Sequence, residues 1–285
     1  MTATFGRAFL VVLFASLLAA AALASSEERV ALVPVRSMPP AGGHHSRVGL
    51  GDSIVRLVRA GVIDLKKFEA VYASRGGTPP ELKDILTKSS FRPILLTSAN
   101  AGTYVNLLWP LGLANRMGAN DESPANGPLL MNFASTGGWN LGGARNGGEY
   151  FNKFAIVDLT RGQEELVVRV ARHLFRPCCD NSAFFQDCNH GSALLGLLAL
   201  GAAQGLNEEQ LYREALAFNA AWFPDHYRQT ALYLKTVKHL DLEQADARLV
   251  MSAEYSSASG WTKNVAGELS ALGLTPSRTG TSCGA

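Results

Sequence analysis

The stretch "PCCDNSAFFQDCNH", residues 177–190, holds three of the chain's four cysteines, with a histidine two positions after the third. Three chemistries suit these residue types. Thiolates with an imidazole form a donor set for zinc or for a soft ion such as copper(I). The candidate metal ligands are Cys178, Cys179, Cys188 and His190, with His173 in reserve, although C-C-x8-C-x-H is not an established zinc spacing. A catalytic pair of Cys188 as nucleophile and His190 as base, oriented by Asp187 or Asn189, is the second reading. Positions i and i+2 on a helix diverge, so a base reaching Cys188 would otherwise come from His173, His226 or His239. No C-x-x-C supports a thioredoxin-like assignment. In the third reading Cys178, Cys179, Cys188 and Cys283 pair as two structural disulfides, which explains neither the adjacent cysteines nor His190.

The N-terminus bears on which of these chemistries is available. After Arg7 an uncharged run, Ala8 to Ala24, closes on Ala22-Leu23-Ala24. This predicts a secretory signal peptide over 1–24 and an exported protein, periplasmic or secreted, with no integral membrane domain once the signal is removed. An uncleaved anchor is the alternative for the same run. With 26 basic and 24 acidic side chains the charge balance is near neutral, which favours a metal ion or small ligand over nucleic acid as partner.

The elements that must position the cysteines read as helices. Residues 25–51, with Pro34, Pro39, Pro40, Gly42 and Gly43, predict an extended arm in which His44-His45 is a solvated pair or a weak metal site. Asp52 and Asp64 are placed to cap two short helices, Thr78-Pro79-Pro80-Glu81 opens a third to about Lys88, and a fourth runs from Ser98 to about Leu108 before Pro110. Capping pairs Thr160/Gln163, Asn207/Gln210 and Asp241/Gln244 predict helices over 161–175, 190–204, 208–222, 225–239, 242–258 and 261–272, with Gly205 and Gly260 as terminators and Pro224 as a starter. Phe218 and Trp222 fall one turn apart on a core face. Strand-like runs are confined to Val30–Val35 and Phe154–Leu159. The expected fold is mainly α, a multi-helix bundle-like domain over 52–285 with little or no sheet, built as one unit or as two packed halves, 52–117 and 154–285.

Between those halves lies the glycine-rich interval 118–153. It is too long for a mere connection, and Phe133, Trp139, Tyr150 and Phe151 predict that it packs. Asn132, Ser135, Thr136, Trp139 and Asn140 surround Gly137-Gly138 as candidate ligand contacts, without the spacing of a nucleotide-binding loop. The leading expectation is an exported protein with a metal- or thiol-dependent centre at 178–190 covered by this loop. The competing one is a noncatalytic binding or scaffold protein stapled by disulfides.

Overall fold

A computed structural model describes residues 40, 42–73 and 76–274. The signal segment, the Val30–Val35 run and Cys283 lie outside them. Among the described residues the fold is mainly α-helical with one small sheet, as the capping pattern predicts. It begins with strand β1 (His44–Gly51), helices α1 (Ser53–Arg59), α2 (Leu65–Ala73) and α3 (Pro80–Thr87), strand β2 (Ser90–Leu96) and helix α4 (Ala101–Ala114). After the glycine-rich interval come α5 (Arg161–Arg172), α6 (Asn189–Ala203), α7 (Glu208–Trp222) and α8 (Pro224–Val237). The short turns α9 (Ala247–Val250), α10 (Ala253–Ser256) and α11 (Ala258–Trp261) follow, and a π-turn leads from α11 into α12 (Gly267–Ala271). Among the described residues no helix is long and apolar enough to cross a membrane.

Two of the capping boxes form as read. Thr160 accepts from the Gln163 amide and Asn207 from the Gln210 amide, and each Gln side chain returns to its cap. Asp64 Oδ1 accepts from the amides of Lys66 and Lys67, starting α2. Asp52 makes no such bond, and α3 starts after Pro79 rather than being capped by Thr78. Leu206 and Leu211, flanking the Asn207 cap, both reach the α6 surface at Gly201.

Four expectations need correction. The sheet pairs His44–Gly51 with Ser90–Leu96, antiparallel, where an arm and a helix-to-helix link were expected. Pro93, Gly49 and two breaks in register hide the alternation that normally marks strands. Phe154–Leu159 is not a strand; Phe154 makes a single parallel bridge to Asn115. Helix α4 passes through Pro110, because it is held on all sides by tertiary packing. The predicted helix 242–258 is broken into turns, so the Asp241/Gln244 pair caps no long helix, and Gly260 lies within α11 rather than ending a helix.

The sheet is fastened to the helices through Glu214 on α7. This buried carboxylate accepts from Ser46 Oγ at 2.7 Å and from the Arg47 amide at 3.0 Å, and meets His44 Nε2 at 3.0 Å. Burial alone would raise its pKa, but the bonds from His44, Arg47 and Ser46 outweigh it and hold the carboxyl below its usual range. His44 is therefore a fold contact rather than part of a solvated pair.

Helices α4 and α6 form the spine. Both are apolar nearly all round, as helices inside a core are. They approach closely at two glycines: a Cβ on Gly196 would lie 2.5 Å from the Leu108 carbonyl and 2.9 Å from the Gly112 amide, and one on Gly112 would overlap the Ser192 carbonyl. Neither obstacle is a flexible side chain. Gly196→Ala is expected to cost about 3 kcal/mol or more of unfolding free energy, measured by urea denaturation, whereas Gly162→Ala, where a Cβ meets nothing, should not destabilise.

Candidate thiol centre

The corner between α5 and α6 is built by backbone bonds from four directions. After α5 ends, Phe175 N donates to Met251 O at 2.9 Å and Ala183 N to Leu174 O at 2.8 Å. Ala258 N donates to Cys179 O at 3.1 Å, and Asn219 Nδ2 to Phe175 O at 3.1 Å. From the glycine-rich interval Ser135 N donates to Asp187 O at 3.2 Å, and its hydroxyl bonds the Gln186 carbonyl. Residues 176–188 thus leave little slack.

Within this corner the sulfurs of Cys178, Cys179 and Cys188 lie within 4.8 Å of one another, close enough to hold a metal ion. Cys178 and Cys188 are 3.7 Å apart, and none of the three is in a disulfide. Cys188 is the N-cap of α6, and its Sγ accepts from the Gly191 amide at 3.4 Å. Sequence reasoning anticipated that helix terminus. It missed Arg176, which lies one residue beyond the helix predicted over 161–175.

Arg176 is fully buried. Its Nε donates to Cys188 Sγ at 3.2 Å, Nη2 donates to Asp187 Oδ1 at 2.5 Å, and Nη1 bonds the Asn181 carbonyl. Asp187 also accepts from Asn181 Nδ2 at 2.8 Å. Burial opposes the guanidinium charge, but Cys188, Cys179, Cys178 and Asp187 outweigh it and hold Arg176 protonated. In return the guanidinium favours a thiolate within the trio. Hydrogen bonds from Cys178 and Cys179, then the nearby guanidinium, draw the Cys188 pKa well below that of an ordinary thiol against the effect of burial. Bonds with Cys179 and Cys188, and burial, push Cys178 up. For Cys179 the bond with Cys178 favours the charged form, but the bond with Cys188 and burial prevail, and its pKa reaches about 12.

His190 is buried, at 5% exposure, but it does not join the sulfur group. Its ring packs 4.6 Å from Phe223 and 5.6 Å from Trp222, and Nδ1 has no hydrogen-bond partner among the described residues. Burial lowers its pKa to about 4. His173 is exposed, with Nδ1 on the Arg169 carbonyl; His226 packs 4.4 Å from Trp261; His239 is exposed. The structure therefore brings three cysteines together and leaves the histidines out. Phe218 and Trp222 pack edge to face, as the helical spacing implied.

Beside the sulfurs lies a cavity of about 510 Å³. Cys178 and Cys188 form part of its wall, with Trp109, Trp139, Asn106, Asn140 and Asn189. Of the five loop residues expected to contact a ligand, only Trp139 and Asn140 line it. Ser135 and Thr136 are buried in bonds to neighbouring backbone carbonyls, and Asn132 is exposed elsewhere in the loop. Trp139 is a packing residue as well: it is 2% exposed, donates to Val62 O at 2.8 Å and meets Trp109 edge to face at 5.0 Å. The loop reaches the corner where Ser135 bonds Gln186 and Asp187, and Trp139 shares the cavity wall with Cys178 and Cys188.

No family model, no curated protein and no solved structure matches this chain.

Two measurements follow from the electrostatics. In metal-free protein, alkylation of Cys188 by iodoacetamide should persist at pH 6, where a thiol of ordinary pKa has lost on the order of 300-fold in rate, and Arg176→Met should move the midpoint up by more than one pH unit. For His190 the folded pKa of about 4 lies below the unfolded value near 6.5. The folded state therefore keeps its full stability above pH 6.5 and loses up to about 3 kcal/mol as pH falls through that interval. His190→Phe should flatten this slope in denaturation curves taken between pH 7 and 4.

Proposed function

We propose that this is an exported cell-envelope protein, periplasmic or secreted, in which Cys178, Cys179 and Cys188 hold one thiophilic metal ion, zinc or copper(I), at the wall of a small-molecule cavity. The observation that carries this reading is the mutual approach of three sulfurs within 4.8 Å around a buried guanidinium. Staples need no such arrangement: a fully buried Arg176 bonded to Cys188 favours a thiolate, and thiolates are what soft metals bind. Copper(I) accepts three sulfur donors, and zinc would take a fourth donor from the cavity side. The ion would supply Lewis acidity or a redox centre. This chain's part is to keep Cys188 ionised through Arg176, to release the protons of Cys178 and Cys179 on binding, and to shield the site with Trp109 and Trp139.

The Cys178 to Cys188 distance of 3.7 Å favours one second reading, thiol–disulfide exchange in which these two thiols become a disulfide as the disulfide of a substrate is reduced to two thiols, Cys179 remaining free. Protein purified from the export compartment without reductant separates the two. The metal reading predicts one equivalent of zinc or copper by elemental analysis, lost in Cys178→Ser and Cys188→Ser and retained in His190→Ala. Metal-free protein with a Cys178–Cys188 disulfide would replace it with the exchange reading. Metal lost on His190→Ala, with the fold intact, would restore the histidine as a ligand.

A further inference from the structure

The cavity beside the thiols has a wall chemistry of its own. Among the described residues that line it none is acidic, basic or a histidine, and the Cys188 sulfur is already paired with Arg176. Two indoles, Val71 and Leu141 make most of it apolar, and besides sulfur its polar side chains are all carboxamides: Asn106, Asn140 and Asn189. Asn106 is the telling one. It stands on α4 between Val105 and Leu107, is 9% exposed, and its side chain makes no hydrogen bond to any described residue. Pro110, one turn on, has no N–H to give the Asn106 main-chain carbonyl. A buried polar group left open toward a cavity, in an otherwise apolar wall, is the kind of group that orients a ligand. A carboxamide presents a donor and an acceptor side by side, the complement of another amide edge. An anion would meet the Cys188 sulfur, whose guanidinium partner is already committed to Cys188, Asp187 and Asn181. A cation would find no carboxylate in the wall, and the Cys188 sulfur there is already paired with the Arg176 guanidinium.

We infer that this cavity binds an uncharged, mainly aromatic small molecule bearing an amide-like edge, oriented by Asn106 and lying against the sulfurs of Cys178 and Cys188. The inference deepens the proposed function by naming the ligand class of the same site, and the pocket's walls do not require the metal.

The test uses benzamide as probe and benzoate as its charged isostere, titrated by ligand-observed NMR and by the fluorescence of the wall tryptophans. Zinc-loaded wild type and metal-free Cys188→Ser are compared. Benzamide is expected to bind both proteins, about tenfold or more tighter than benzoate, and Asn106→Leu should lose most of that preference while keeping the helical far-UV spectrum and the zinc stoichiometry. Equal binding of benzoate, absence of benzamide binding in folded protein, or an unchanged preference in Asn106→Leu would overturn the pocket. Should Asn106→Leu fail to fold, the benzamide-to-benzoate ratio in wild type decides alone. Benzamide binding by protein that takes up neither zinc nor copper(I) would leave the pocket standing and remove the metal centre. Zinc held without benzamide binding would do the reverse.

Discussion

One buried positive charge organises the thiol corner. Removing a guanidinium from water costs several kcal/mol unless its donors are satisfied by oriented acceptors and its charge is balanced. Arg176 meets both conditions with Asp187, the Asn181 carbonyl and Cys188 Sγ. Arg176 stands near the start of the loop between α5 and α6, Asn181 in its middle and Asp187 and Cys188 at its end, so the ion pair closes the loop as a ring. It also requires that α6 carry no side chain at Gly191, where a Cβ would lie 2.6 Å from Nη2 and 2.7 Å from Cζ. The first turn of α6 is thus shaped by the charge beside it, and the capping sulfur lies between a helix amide and a guanidinium, two sources of positive potential.

The α4–α6 spine then decides what the corner faces. Ser192, one turn into α6, donates to Trp109 O at 3.0 Å and shares a contact with Gln186 Oε1 at 3.0 Å. That small hydroxyl links the spine's close crossing to the cysteine loop. Because Gly112 and Gly196 allow backbone contact with no side chain between, the two helices have little freedom to slide. Asn106 and Trp109 on α4 are therefore presented to Cys188 and Asn189 at a fixed register, and the Trp109 indole, bonded to Ser135 O at 2.6 Å, brings the glycine-rich interval down over both.

Much of this was legible before any coordinates. Side chains that bond their own local backbone, such as Thr160 and Asn207, announce helix starts because the interaction spans three residues. The corner itself followed from the gap between the helices predicted over 161–175 and 190–204. The features that escaped depend on partners far away in sequence. Strand β1 is stabilised by Glu214 and by the Gln204 side chain, which exchanges two bonds with Gly49, and nothing in its own eight residues signals them. Helix α4 tolerates Pro110 because its surroundings supply the packing. Arg176 looked like an ordinary polar helix end, since burial of a charge is decided by Asp187 eleven positions on. His190, expected beside Cys188 as ligand or base, is carried by its helical face toward Phe223 and Trp222 rather than to the sulfurs. Helix periodicity assigns a face; it does not say which neighbour that face meets.

The adjacent cysteines, hard to justify as staples, make sense in this setting. In an extended strand neighbouring side chains point to opposite sides, but Cys178 and Cys179 lie in a turn, with Cys179 N reaching back to Arg176 O at 3.4 Å. The turn brings both sulfurs to bear on Cys188 from one short piece of chain. Neighbours in sequence close together at almost no loop entropy, so two of the three members are assembled by the turn alone and only Cys188 has to be brought in from a distance. Arg176 does that through the same side chain that ionises it. A single coupled group of three sulfurs results, in which the thiolate is favoured on the member at the helix terminus, a residue of the cavity wall. Charge, turn and helix end converge on one sulfur, and it is there that a metal or an oxidant would first engage.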